Sequence, residues 1–295
     1  MTTQTATKNL AGKETTQIIW LQRLGLFILF LVCEAAIFIF GSNYYDIFAT
    51  NKNLIYNVLL SVFFLAVTLL FKYTKRLSQY WPVAFAFFVA SVAFPSTLLL
   101  NVGEALSRFD LSPNISQGLA IGKSIEMLVV VVPILVLTKL SGADLGSIFL
   151  KSGNLKLGLG VSGLVFVNFA TSALMFNSQR FSRIEMLGNA ILWGLVFSCA
   201  NGFMEELWLR GIFLKRFEPF LGLHGSVWLT AIIFALMHSA VYYFMPAVLP
   251  VFVLNTLSLG LACGYLMMKS DSIWGAVVIH AAADFFLFVA VLANV

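Results

Sequence analysis

Two adjacent glutamates, Glu205 and Glu206, stand one helical turn before Arg210 in the run Phe203-Met204-Glu205-Glu206-Leu207-Trp208-Leu209-Arg210-Gly211. The flanking sequence is apolar. A carboxylate in or beside hydrocarbon is costly enough that two kept side by side mark a functional site. Residues i and i+4 of a helix share a face, so Glu206 and Arg210 can pair, while Glu205, rotated by about 100°, is left free. Glu205 is thus the candidate chemical carboxylate, and Glu206–Arg210 the pair that orients it. A carboxylate balanced between apolar burial and a nearby cation can take a proton from water near neutral pH.

Two further clusters carry the same kind of chemistry. Phe234-Ala235-Leu236-Met237-His238 puts a histidine at the end of an apolar run, and His280-Ala281-Ala282-Ala283-Asp284 puts a histidine and an acid on one helix face. The three alanines between them leave room for a neighbouring helix or a substrate. The third histidine, His224, reads as a loop residue in Gly222-Leu223-His224-Gly225. Glu34 and Glu126 have no matching partner nearby in sequence and read as interhelical glue.

The elements that must position these residues are membrane helices. Of 295 residues, 60% are hydrophobic and only 11% charged, against about 25% charged in soluble domains. Mean hydropathy is +0.93. Apolar runs of spanning length are expected at about 24–41, 55–71, 81–101, 119–138, 157–176, 186–204, 226–241, 247–268 and 273–292. Segment 205–218 either extends the sixth span or forms a separate interfacial helix. Trp20, Trp81, Trp228, Trp274, Tyr44-Tyr45 and Tyr242-Tyr243 fall near span ends, where interfacial aromatics belong. The fold class is an all-α polytopic membrane protein, a bundle of about 8–9 transmembrane helices with its active site among the C-terminal ones.

Thirteen Lys and Arg fall on one side of these spans and five (Lys52, Arg108, Lys123, Arg180, Arg183) on the other, which puts the N-terminus in the cytoplasm. No Lys/Arg cluster is long enough to follow nucleic acid phosphates, so the net charge of +5 reads as membrane-flanking loops. The polar first 23 residues lead into an apolar run without a small-x-small cleavage site, as in an uncleaved first span. Gly158-Leu159-Gly160-Val161-Ser162-Gly163 has dinucleotide-binding spacing, but no strand precedes it and Arg183 stands where an acid is needed. Close approach of two membrane helices explains these small residues better. Cys33, Cys199 and Cys263 are dispersed in apolar stretches and read as small filler.

Glu205-Glu206…Arg210, Phe234…His238 and His280…Asp284, in that order on separate spans, resemble the CAAX protease and bacteriocin-processing (CPBP, or Abi) family of intramembrane endopeptidases. The resemblance covers about residues 186–292, and the stretch from Asp144 to Gly163 looks like the beginning of the family's core. It implies a membrane-embedded endopeptidase in which Glu205 activates water, His238 assists, and His280 with residue 284 stabilises the oxyanion. Metal participation stays open: Glu205, His238 and His280 can supply three ligands of a catalytic zinc and leave a fourth position for water. An ionised aspartate cannot donate to an oxyanion, so Asp284 must be protonated, bind metal or orient His280.

The expected organisation is residues 1–140 as helices without recognisable motifs and 141–295 as the protease-like core. The implied partners are membrane lipid and a peptide or lipid-modified protein substrate, with no nucleic acid; the expected location is a bacterial cytoplasmic membrane. Two other classes are an ion- or proton-coupled transporter and a catalytically silent scaffold. Neither an internal repeat nor paired broken helices supports the transporter.

Overall fold

The computed structural model describes residues 3–42, 50–112, 115–181, 184–240 and 249–289, and among these there are helices and turns but no strand. Tyr44-Tyr45, Tyr242-Tyr243, Arg183 and the end of the last expected span lie outside the described residues. The α-helices are α1 (Thr3–Phe38), α2 (Thr50–Tyr73), α3 (Trp81–Ser91), α4 (Ala93–Leu100), α5 (Val102–Ser107), α6 (Ser116–Leu140), α7 (Leu155–Phe181), α8 (Ile184–Glu206), α9 (Leu214–His238), α10 (Leu249–Ser270) and α11 (Trp274–Leu287). A 3₁₀ turn at Ser78–Tyr80 leads into α3, and another at Leu145–Ile148 precedes α7.

Six stretches are long and apolar enough to cross a membrane: Ile19–Phe38, Lys52–Tyr73, Ser78–Leu100, Ser116–Leu140, Leu214–His238 and Leu249–Ser270. They make this chain a multi-pass membrane protein. Leu155–Val167 and Trp274–Leu287 are apolar but shorter. Leu29, Leu59, Phe63, Leu164 and Leu254 stand exposed on the outer faces, as they must where lipid rather than water is the solvent. Trp20, Trp228 and Trp274 are also well exposed.

Segment 205–218 neither extends the sixth span nor stands alone. α8 stops at Glu206, a π-helical turn covers Leu207–Gly211, and α9 starts at Leu214, well before the expected 226. Gly222 breaks α9 with φ of 72°, a left-handed backbone that glycine adopts without penalty. His224 just beyond the break is exposed and hydrogen-bonds the Tyr265 hydroxyl at 2.6 Å.

Close helix approaches set the geometry of the C-terminal half, where α8 packs on α6 and α11, and α11 also packs on α7. The glycine-rich run has its expected role. A Cβ added to Gly275 would lie 2.8 Å from the Gly158 Cα, and Ser162 Oγ–H donates to the Gly275 carbonyl at 2.7 Å. Across α8, a Cβ on Gly202 would sit 3.0 Å from the Ala281 nitrogen, so the alanines do admit a neighbouring helix. At the start of α11, Asp271 receives Lys151 and, at 2.7 Å, Lys215. Burial opposes its ionisation, but these lysines hold its carboxyl below the usual aspartate range.

Gly275→Val is expected to destabilise the detergent-solubilised protein by about 1–3 kcal/mol, the usual cost of overpacking. Gly163→Ala, where a Cβ meets nothing within 4 Å, should leave the melting temperature unchanged or raised. Equal melting curves for wild type and Gly275→Val would show that the α7–α11 crossing is not tightly packed.

Candidate active site

Four elements converge on one buried polar cluster. The last turns of α8 carry Asn201, Glu205 and Glu206, the π turn carries Arg210, the end of α9 carries His238, and α11 carries His280 and Asp284. The π turn is closed by Ile212 N–H donating to the Leu207 carbonyl at 3.2 Å, five residues back. Such widened turns are frequent at functional sites. Here it turns the chain from α8 into α9 while keeping Glu206 and Arg210 in contact.

Glu206 and Arg210 have no exposed side-chain surface and form an ion pair through Arg210 Nη1 and Glu206 Oε1. The same Glu206 oxygen lies 2.7 Å from His280 Nδ1. A carboxylate can only accept, so Nδ1 carries the proton and Nε2 is turned toward the open part of the cluster. There Nε2 stands 3.6 Å from Glu205 Oε2 and 3.7 Å from Asp284 Oδ2. Both are beyond hydrogen-bond range, leaving a gap between an imidazole and two carboxylates. Glu205 and Asp284 keep 12% and 13% of their side chains exposed and are the least closed members of the cluster, although Glu205 Oε2 itself is buried.

His238 is fixed differently. Its Nδ1–H donates to the Phe234 carbonyl one turn back at 2.8 Å, which leaves Nε2 free. Its ring packs on Phe234 with centroids 4.5 Å apart, and Phe234 also lies 5.3 Å from the His280 ring. The Arg210 guanidinium rests 4.4 Å over the same Phe234 ring. Phe234 is therefore the common wall against which Arg210 and both histidines are set, and its face is electrostatically suited to a cation. Gly260 of α10 allows this packing, because a Cβ there would come within 3.0 Å of Arg210 Nη2.

Three residues whose part the sequence did not disclose join the cluster. Asn201, one turn before Glu205 and largely buried, donates Nδ2–H to Asp284 Oδ2 at 2.9 Å. A buried amide at i−4 from Glu205 was its available signal. Cys263, read as filler, is fully buried beside Glu206. Glu34 of α1 is buried without a hydrogen bond to either oxygen, as are Nε and Nη2 of Arg210. Glu34 lies between Phe30, stacked on Phe217 at 4.9 Å, and Phe38, which meets Trp208 at 5.1 Å. That i−4, i, i+4 face points Glu34 at the turn holding Arg210, whose charge it feels.

Some expectations need correction. Glu126 does have a partner nearby in sequence, Lys123, at 2.7 Å. Lys123 is no loop charge: it lies inside α6, 5.9 Å from the Phe197 ring centroid, and its field reaches Asp284. Among the described residues no three His, Cys, Asp or Glu side chains are gathered as a metal site. With His280 Nδ1 engaged by Glu206 and His238 Nδ1 by its own helix, both rings leave Nε2 uncommitted.

Neither the curated proteins nor the solved structures contain a match to this chain. The family match begins at 187, beyond the Asp144–Gly163 stretch and the whole N-terminal half. Residues 187–286, which carry Glu205, Glu206, Arg210, His238, His280 and Asp284, match the family model described as type II CAAX prenyl endopeptidase Rce1-like, and this part of the chain is a domain of that protease family.

Proposed function

We propose that the chain is an intramembrane endopeptidase that hydrolyses a peptide bond of a membrane-associated peptide or lipid-modified protein, with Glu205 as the base that activates water. The observation that carries this reading is the inequality of the two glutamates. Glu206 is committed to Arg210 and His280, whereas Glu205 Oε2 has no hydrogen bond and faces the gap beside His280 Nε2. An uncommitted carboxylate beside two imidazoles is the arrangement that water activation needs.

In the proposed reaction a water in that gap gives a proton to Glu205 while its oxygen attacks the scissile carbonyl carbon. His238, whose Nε2 carries a lone pair, accepts from the attacking water and holds it for Glu205, while His280, as an imidazolium donating from both nitrogens, faces the oxyanion of the tetrahedral intermediate. Collapse breaks the C–N bond, and Glu205 returns its proton to the leaving amine. Glu206–Arg210 holds the His280 ring, and Asn201 holds Asp284 beside it. Asp284 then acts as a positioning group and counter-charge for His280, which resolves the difficulty that an ionised carboxylate cannot donate. This route uses only the chain's own side chains.

Glu205→Gln is expected to lower cleavage of a quenched-fluorescent or farnesylated tail peptide by about 10²-fold or more, and His238→Ala comparably. Lys156→Gln, at an exposed site, should cleave as wild type does. A zinc chelator should leave turnover unchanged. Full turnover by Glu205→Gln would reject the assignment of the base, and chelator inhibition reversed by zinc would reject the metal-free route.

Asn201→Leu is expected to reduce kcat about tenfold with KM unchanged, the kinetic equivalent of one hydrogen bond to a charged group. A change confined to KM would instead place Asn201 in substrate binding.

A further inference from the structure

Away from the polar cluster, two cavities meet at one end of the bundle. The first, of 570 Å³, lies among the first turns of three spans and is lined by Arg23 of α1, Gln79 and Tyr80 before α3, and Lys215 and Arg216 of α9. It has three cations in its lining and no acid. The second, of 430 Å³, is an apolar groove between α1, α2 and α3, lined by side chains such as Phe30, Cys33, Val67 and Phe71. The two share Leu26 and Tyr80, so they form one continuous surface. Along α1 the face runs Arg23, Leu26, Phe30, Cys33, changing from cationic to apolar over ten residues, or about 15 Å.

The three cations are not equivalent. Lys215 is held by Asp271 and by the Gly146 carbonyl at 2.6 Å, so it contributes field more than contact. Arg216 spends one nitrogen on the Ile212 carbonyl at 2.6 Å and keeps its other donors. Arg23 is exposed and forms no ion pair among the described residues. Both arginines present planar donor arrays suited to phosphate oxygens. A cationic mouth at the membrane edge, opening into an apolar groove in the hydrocarbon, matches an amphiphile with an anionic head and a hydrocarbon tail.

We propose that this surface binds one anionic phospholipid, with its phosphate between Arg23 and Arg216 and an acyl chain in the groove below Leu26 and Tyr80. The site is separate from the polar cluster and does not depend on the protease reading. Apolar lining alone would accept any lipid; Arg23 and Arg216 supply the selectivity, each adding attraction for an anionic head group.

The test is native mass spectrometry of the full chain in neutral detergent, titrated with dioleoyl phosphatidylglycerol, dioleoyl phosphatidylcholine or inorganic phosphate. One phosphatidylglycerol should be retained per chain, at least about tenfold more tightly than phosphatidylcholine. Arg23→Gln and Arg216→Gln should each weaken retention about fivefold. Val67→Trp, which fills the groove without touching the cations, should weaken it too, and Lys156→Gln should not. Equal retention of the two lipids, or unaltered binding in both arginine variants, would overturn the proposal. Displacement of the lipid by equimolar inorganic phosphate would also overturn it, by making this a free-anion site.

Discussion

A guanidinium with no exposed surface must be compensated inside the protein, and Arg210 is such a group. Its partner Glu206 is equally buried, so each makes the other tolerable; removing either partner of a buried pair typically costs about 3–5 kcal/mol because the remaining charge is uncompensated. What makes the pair useful is its second acceptor role. The Glu206 oxygen that meets Arg210 also engages His280, so a charge compensation within one turn of chain fixes an imidazole on a helix more than seventy residues further along. The orientation of His280, and with it the gap beside Glu205, follows from that shared oxygen.

Packing around the pair is arranged so that little else can occupy its space. The π turn brings α8 and α9 together, Phe234 lies under the guanidinium, and Gly260 lets α10 come close. Phe30, Phe38, Phe87, Phe213, Phe217 and Trp208 form an aromatic wall behind the turn, with Phe87 and Phe213 centroids 5.5 Å apart. Trp208 anchors the turn by donating its indole N–H to the Ala90 carbonyl at 3.0 Å. In a medium without water, such satisfied donors and interlocked rings replace the hydrophobic effect as the source of a defined arrangement.

What the sequence disclosed follows from how local each interaction is. The contact of Glu206 with Arg210 and the shared face of His280 and Asp284 are matters of helical spacing, readable from four residues of text. The Gly158–Gly275 crossing was half legible: small residues announce a close approach but not the helix that makes it. Asn201 was missed because an uncharged amide in an apolar run, even one turn before Glu205, does not disclose its partner until Asp284 is seen opposite it. The start of α9 was missed because Leu214–Leu221 is helical through its packing and charged on its solvent side, a pattern that hydropathy windows discount. The ring orientations were not legible either: sequence spacing does not say that Nδ1 of each histidine is taken, by Glu206 and by the Phe234 carbonyl, and that Nε2 is what each ring presents.

The N-terminal helices, which carry no motif and lie outside the family match, are nevertheless part of the environment of Arg210. Glu34 reaches toward it from α1, and α3 receives the indole of Trp208. A second buried acid beside an already paired guanidinium makes sense because Arg210 has donors that Glu206 does not use. Neither Glu34 oxygen is hydrogen-bonded to those donors, so α1 adds an unpaired buried carboxyl to the surroundings of the polar cluster that the motif-bearing helices supply.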